Sequence, residues 1–152
     1  MRQEDKDEIW HLARATPDKA LRQGFEISSY CITTLLDDKV VAIAGISGEK
    51  GGVGIPWMLA SPLLTKIRKP FLREVKVYME EMSQGYTSLY NMAWAKNTEH
   101  LTWLRWLGFT FEEPAPAGPD GELFITFYKE THDRNSTHGQ PGRQTVGGHR
   151  GR

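Results

Sequence analysis

VGIPWMLASPLLTKIRKPFLREVKVYMEEMSQGYTSLYNMAWAKN, residues 53–97, decides the fold. It runs from apolar to amphipathic and back to apolar. VGIPWMLAS reads as a strand. Pro56 has no N–H to give a ladder, so it marks a bulge or a locally unpaired position. Pro70 suits the first turn of a helix and would break its interior, which sets the start of a long helix near Lys69. Leu72, Val75, Met79 and Met82 then follow at spacings of 3, 4 and 3, a core-facing stripe, while Arg73, Lys76, Glu80 and Glu81 take other faces. Gly85 ends the helix, and TSLYNMAWAK reads as a buried strand. Strand, helix and strand in that order predict a right-handed parallel crossover.

Upstream, two short helices precede two strands. Asp5 or Asp7 caps the first helix, with Ile9, Leu12 and Ala13 on one face. Thr16-Pro17-Asp18 opens the second, with Thr16 as cap and Pro17 in the first helical position, and Gly24 stops it. FEISSYCITTLL and KVVAIAGIS read as strands joined by a tight turn at Asp37-Asp38, and GEKGG is a second turn. Downstream, Asn97 caps a helix over TEHLTWLRWL, and Gly108 closes it. FTFEE, a Pro/Gly turn (PAPAGPDG) and ELFITFYKE make a final hairpin. The expectation is one mixed α/β domain over residues 1–130. The segment 131–152 is rich in glycine, histidine and arginine and has a single aliphatic residue, Val146, so it reads as a disordered tail.

The chain has 152 residues and a formal net charge of zero, so no global charge points to nucleic acid or a lipid surface. The neutrality hides a division. MRQEDKDE carries a net −2, whereas residues 63–76 carry +4 through Lys66, Arg68, Lys69, Arg73 and Lys76 against Glu74. Cys31 stands alone, which excludes an internal disulfide and a cysteine-rich metal site. His132, His138 and His149 are irregularly spaced, and no metal is expected. The polar opening does not read as a secretory leader, and no apolar run approaches the roughly 18 residues of a membrane span. The expected location is therefore intracellular, in a host cytoplasm or a virion.

The element order resembles that of the GNAT acyltransferase superfamily, lacking only that fold's usual first strand, and NTEHLTWLRWLGF (97–109) resembles the GNAT segment running from Asn to Gly-Phe. WMLAS, FLRE, a Tyr-Asn strand and N-x-x-H-x-x-W-L-x-x-L-G-F are similar to a small GNAT-like family of short-tailed phages, internal virion protein A or phage acetyltransferase. The resemblance implies a mostly antiparallel sheet, its central parallel strands splayed and flanked by helices. It implies acetyl-CoA or CoA as cofactor, with the backbone of Met58, Leu59, Ala60 and Ser61 along the pantetheine arm. The pyrophosphate would sit at the turn Lys66, Ile67, Arg68 and Lys69, and Asn97 is a further cofactor-binding candidate.

The residues at that turn depart from the superfamily pattern. GNAT enzymes place glycines there so that backbone N–H groups close on the pyrophosphate at a helix N-terminus. Here Arg68 stands at the first glycine position and Pro70, which has no N–H, at the last small one. Either side-chain cations replace the backbone amides, each giving a charge-assisted hydrogen bond of about 1.5–3 kcal/mol, or the charges are solvated or face a different anion. Leu104 stands where many relatives place a tyrosine general acid, whose loss typically slows a reaction about 10²–10⁴-fold. His100 is the catalytic candidate, a base or ligand contact beside the thiolate; its alternative is a capping-turn histidine packed on the sheet. Asn97 is either a helix cap or a catalytic group. Glu26 is a candidate base or an exposed strand residue. Trp57, Trp94, Trp103 and Trp106 read as core aromatics.

Two functions follow from the resemblance. One is an acyl-CoA-dependent N-acyltransferase acting on an unknown amine. The other is a non-catalytic internal virion or host-interaction protein that keeps the fold and meets a virion or host protein. Neither involves a membrane, and a nucleic-acid partner is not expected.

Overall fold

The computed structural model describes residues 1–131; the expected tail from residue 132 onward, with its three histidines, lies outside the described residues. In chain order the elements are α1 (Gln3–Ala13), α2 (Pro17–Ile27), β1 (Ser28–Leu36), β2 (Lys39–Ser47) and β3 (Val53–Ala60), then a 3₁₀ turn (Pro62–Lys66), α3 (Arg68–Met82), β4 (Ser88–Trp94), α4 (Thr98–Trp106), β5 (Thr110–Phe111), β6 (Ala115–Ala117) and β7 (Glu122–Glu130). The strands form one mixed, mostly antiparallel sheet in the order β1-β2-β3-β4-β7-β5, with β6 also pairing β7. Among the described residues the only parallel neighbours are β3 and β4, joined through α3 as the opening stretch predicts.

Asp37 and Asp38 turn β1 into β2 with φ of 48° and 60°, the backbone of the tight hairpin turn. Pro56 makes no bulge. It stays in register opposite Ile46 on β2, and its missing N–H falls on the side where β3 and β4 have parted, so no ladder bond is lost there. These two strands pair only at Val53↔Ser88 and Gly54↔Leu89.

The helices differ from expectation at their ends. Thr16 caps α2 through Lys19 N–H, as read, but α2 runs past Gly24 to Ile27, so FEI belongs to a helix and β1 begins at Ser28. Gly24 serves packing instead. A Cβ there would lie 3.0 Å from the Trp57 ring. Neither Asp5 nor Asp7 caps α1: Arg2 holds the N-cap position with no side-chain cap bond. The segment APA, read as turn, forms the short strand β6 against β7.

Residues from both sides of the sheet meet in the core. Val41, Ile46 and Ala60 of β2 and β3 join Leu64, Phe71 and Val75 under α3, and Leu89, Ala93, Leu101, Trp103, Leu104 and Phe127 under α4. Trp106, read as core, is instead 47% exposed on the outer flank of α4. No helix among the described residues is long and apolar enough to cross a membrane.

Candidate functional site

The parting of β3 and β4 leaves a cavity of about 300 Å³. Its wall is largely apolar, built by Ile9 and Leu12 of α1, Trp57, Met58 and Leu59 of β3, and Leu72 and Met79 of α3. The polar groups at its rim include Glu8, Asn91 and His100. Because a strand presents alternate residues to alternate neighbours, the backbone groups of Pro56, Met58 and Ala60 face the split. Asn91 Nδ2 donates to the Pro56 carbonyl at 2.8 Å, and Asn91 Oδ1 accepts the Met92 N–H.

The two lips of the split are held by α1. On β3, the Ala60 carbonyl accepts from Arg2 N–H at 2.7 Å, and Ala60 N–H donates to Asp5 Oδ2 at 2.9 Å. On β4, Trp94 N–H donates to Glu8 Oε2 at 3.1 Å. Asp5 and Glu8 are three residues apart, hence neighbours on one face of α1. Arg2 and Asp5 form an ion pair at 2.6 Å with each side chain 6% exposed. The Arg2 guanidinium continues to Glu99 at 3.0 Å, and Glu99 in turn holds Arg68 at 2.9 Å. Both guanidiniums lie over the Trp103 ring, 5.1 and 5.8 Å from its centroid. Trp103 also lines the cavity, and its buried Nε1 has no hydrogen-bond partner among the described residues.

Glu8 is the carboxylate at the cavity. Burial pushes its carboxyl up, but His100, the Trp94 N–H and the Asn97 amide together outweigh burial and hold it below the usual carboxylate range. His100 Nδ1 lies 3.6 Å from Glu8 Oε2, and its ring meets Phe127 edge-on at 6.3 Å.

The candidate residues divide between cavity and surface. Met58, Leu59 and His100 line the cavity. Ala60 is buried under Arg2 and Asp5, and Ser61 bonds back to β2, its N–H to the Val41 carbonyl and its hydroxyl to the Val40 carbonyl. Lys66, Arg68 and Lys69 are exposed around half-buried Ile67 on the 3₁₀ turn and the start of α3, away from the cavity wall. Asn97, 1% exposed, caps α4 by accepting His100 N–H at 3.4 Å and donates Nδ2 to Glu8. Glu26 is exposed on α2, not on a strand. Leu104 lines the cavity and is 5% exposed. Sequence reasoning passed over Arg2, Asp5, Glu8 and Glu99. Asp5 meets Ala60 across 55 residues and Glu8 meets Trp94 across 86, and no local periodicity records such contacts. The only signal was the acidic density of MRQEDKDE.

Comparison with known proteins bears on this geometry. A family model described as "Bacteriophage T7, probable scaffold protein Gp13" matches residues 30–114. The probable scaffold protein gp13 of Escherichia phage T7 is 27% identical over 108 residues, which cover 68% of this chain and 75% of that protein. Among solved structures, the ribosomal-protein-S18-alanine N-acetyltransferase of Escherichia coli superposes with a TM-score of 0.59 at 12% identity, covering 89% of this chain and 91% of that one. A Bacillus subtilis acetyltransferase in complex with CoA gives 0.60 at 12% identity, covering 87% and 94%. A GNAT-family acetyltransferase from Streptococcus pneumoniae gives 0.56 at 12% identity, covering 76% and 74%. At these identities the likeness is one of architecture: the chain has the GNAT fold.

Proposed function

The chain belongs to the family of the bacteriophage T7 probable scaffold protein Gp13, whose model spans residues 30–114, and from that premise we propose that it is a phage assembly protein using the GNAT fold without acyl-transfer chemistry. One observation carries this reading: the edge of β3 at Ala60, where the fold's likeness would lay the pantetheine arm, is already bonded on both its N–H and its carbonyl by Asp5 and Arg2. A ligand pairing there would first expel a buried ion pair. Breaking such a pair costs about 3–5 kcal/mol, and an affinity of 1 μM amounts to only about 8 kcal/mol. Arg68, at the turn meant for the pyrophosphate, is engaged by Glu99, and Pro70 has no N–H to offer. The work of such a protein is contact with virion or host proteins, in the particle or the host cytoplasm, which fits the narrower likeness to internal virion protein A. In this reading residues 1–130 are the folded body and 131–152 a tail.

A thermal-shift titration of the full chain with acetyl-CoA and CoA to millimolar concentration tests it. No displacement of the melting transition is expected. A ligand at 100 times its dissociation constant stabilises by about 2.7 kcal/mol, so a shift of several degrees overturns the reading.

The cavity at Met58 favours a second reading, an acyl-CoA-dependent N-acyltransferase for an unknown amine. Acetyl-CoA or CoA would lie along Met58, Leu59, Ala60 and Ser61, its phosphates at Lys66, Ile67, Arg68 and Lys69, with Asn97 and His100 beside the thioester. That reading requires the thermal shift, and requires Arg68→Ala with Lys69→Ala to abolish it.

A further inference from the structure

The basic stretch that follows β3 is mostly unused by the split. Arg68 is bound to Glu99, but among the described residues no carboxylate lies within ion-pair distance of Lys66, Lys69, Arg73, Lys76 or Arg105. Lys69, Arg73 and Lys76 are spaced by four and three residues on α3, which sets them on one face. All three are exposed, as is Lys66 on the 3₁₀ turn just before. None of the four lines the cavity, so they stand apart from the site described above.

This row works against its own helix. The first turn of α3 has no acidic residue, so Lys69 sits unrelieved at the positive end of the dipole. Lys69 and Arg73, like charges four residues apart, repel each other. Of the acidic residues of α3, Glu74 and Glu81 lie on another flank; Glu80, four residues beyond Lys76, continues the row's face but is not within ion-pair distance of it. A row of cations that weakens its helix and meets no carboxylate among the described residues, Lys76 alone resting on an aromatic ring, is matched to an anion outside the fold.

The neighbouring helix identifies the anion. Arg68 pairs with Glu99 at the start of α4, and Lys76 Nζ lies 5.6 Å from the centroid of Trp106 near its end. The flank of α3 that carries the row therefore borders α4. Trp106 is 47% exposed there, with exposed Thr102 and Arg105 beside it. An acidic peptide would use the cations and leave unused the exposed part of the indole, whose ring already carries Lys76 Nζ at 5.6 Å. A nucleotide chain uses both, phosphates on the cations and a base on the indole. From Lys69 to Lys76 the helix rises about 10 Å.

We propose that the flank of α3 bordering α4 binds single-stranded nucleic acid, with Lys66, Lys69, Arg73 and Lys76 on the phosphates and Trp106 stacked on a base. The test is fluorescence anisotropy of a labelled oligo-dT of about 20 nucleotides, titrated with the full chain over a series of salt concentrations. With four phosphate contacts, log K falls against log salt with a slope of about −3 for a single strand. Lys69→Ala with Arg73→Ala and Lys76→Ala reduces the slope to near −1. Trp106→Ala weakens binding roughly tenfold with the slope unchanged. All these positions are exposed, so the variants fold, and the triple substitution, which removes the repulsion within the helix, melts at or above the parent's temperature. Three outcomes overturn the proposal. One is no binding at about 50 mM salt. Another is binding that survives the triple substitution but is lost when Arg134, Arg143, Arg150 and Arg152 are replaced by alanine, which places it in the C-terminal segment. The third is equal affinity for polyglutamate, which assigns the row to an acidic protein.

Discussion

Asp5 carries more of the site than any other single residue. Its carboxylate accepts from the Arg2 guanidinium through both oxygens and takes the Ala60 N–H as well. Asp5→Ala leaves a buried guanidinium with only Glu99 and a buried amide with nothing, and breaking a buried pair costs about 3–5 kcal/mol. The urea midpoint is expected to fall by that equivalent with the m-value unchanged; a loss under about 1 kcal/mol would mean that water replaces the carboxylate. Glu8 acts through its titration. Its folded pKa lies below the usual 4.5, so the unfolded chain takes up the proton first as pH drops. Glu8 thus contributes stability above pH 4.5 that disappears as pH falls from there through the folded value. Urea unfolding at a series of pH values from 3 to 7 should show this decline, and Glu8→Gln should flatten it while keeping an acceptor for the Trp94 N–H.

At the scale of elements, the local signals were the readable ones. Asn97 caps α4 and Gly108 follows its end at φ 87°, and both positions were legible because caps and left-handed turns demand particular residues at particular places. The crossover was legible for the same reason: proline, apolar spacing and glycine punctuate β3, α3 and β4 in sequence. Gly24 misled because glycine is both a stop signal and a way to let surfaces touch, and only the distant Trp57 decides between them. That contact is tight on both sides, since the Trp57 Nε1 is fixed by Ser28 Oγ at 2.7 Å. In Gly24→Ala, the gain of about 1 kcal/mol in helix propensity competes with about 1–3 kcal/mol of overpacking. A net loss near 1 kcal/mol is expected in thermal unfolding; a rise in melting temperature would show that the indole can yield. Trp106 was read as core because its spacing of three from Trp103 continues an apolar pattern, whereas it is 47% exposed.

Across the described residues, the ladder between the two half-sheets β1–β2–β3 and β4–β7–β5 holds just two residue pairs, with Asn91 bonding to Pro56 further along the split. Most strand neighbours were legible, because they follow from a turn or a crossover; the placing of β7 between β4 and β5 was not. The cleft's contents were not, because they come from residues far away in sequence. The same separation of scales explains the charge. A chain of zero net charge gathers its acidic N-terminal residues at the split and leaves its basic residues on the outer flank of α3, a division that composition averages away.

Asp5 on one lip and Glu8 on the other belong to a single helical turn, so the amides of Ala60 and Trp94 share a fate although they lie on different strands. When α1 lifts, both lose their acceptors in one event, and beyond Val53 and Gly54 the halves of the sheet are then tied along the split by the bond from Asn91 to the Pro56 carbonyl and by the core they share. The N-terminal helix is in this sense a latch: its departure leaves the angle between two plates to those remaining ties.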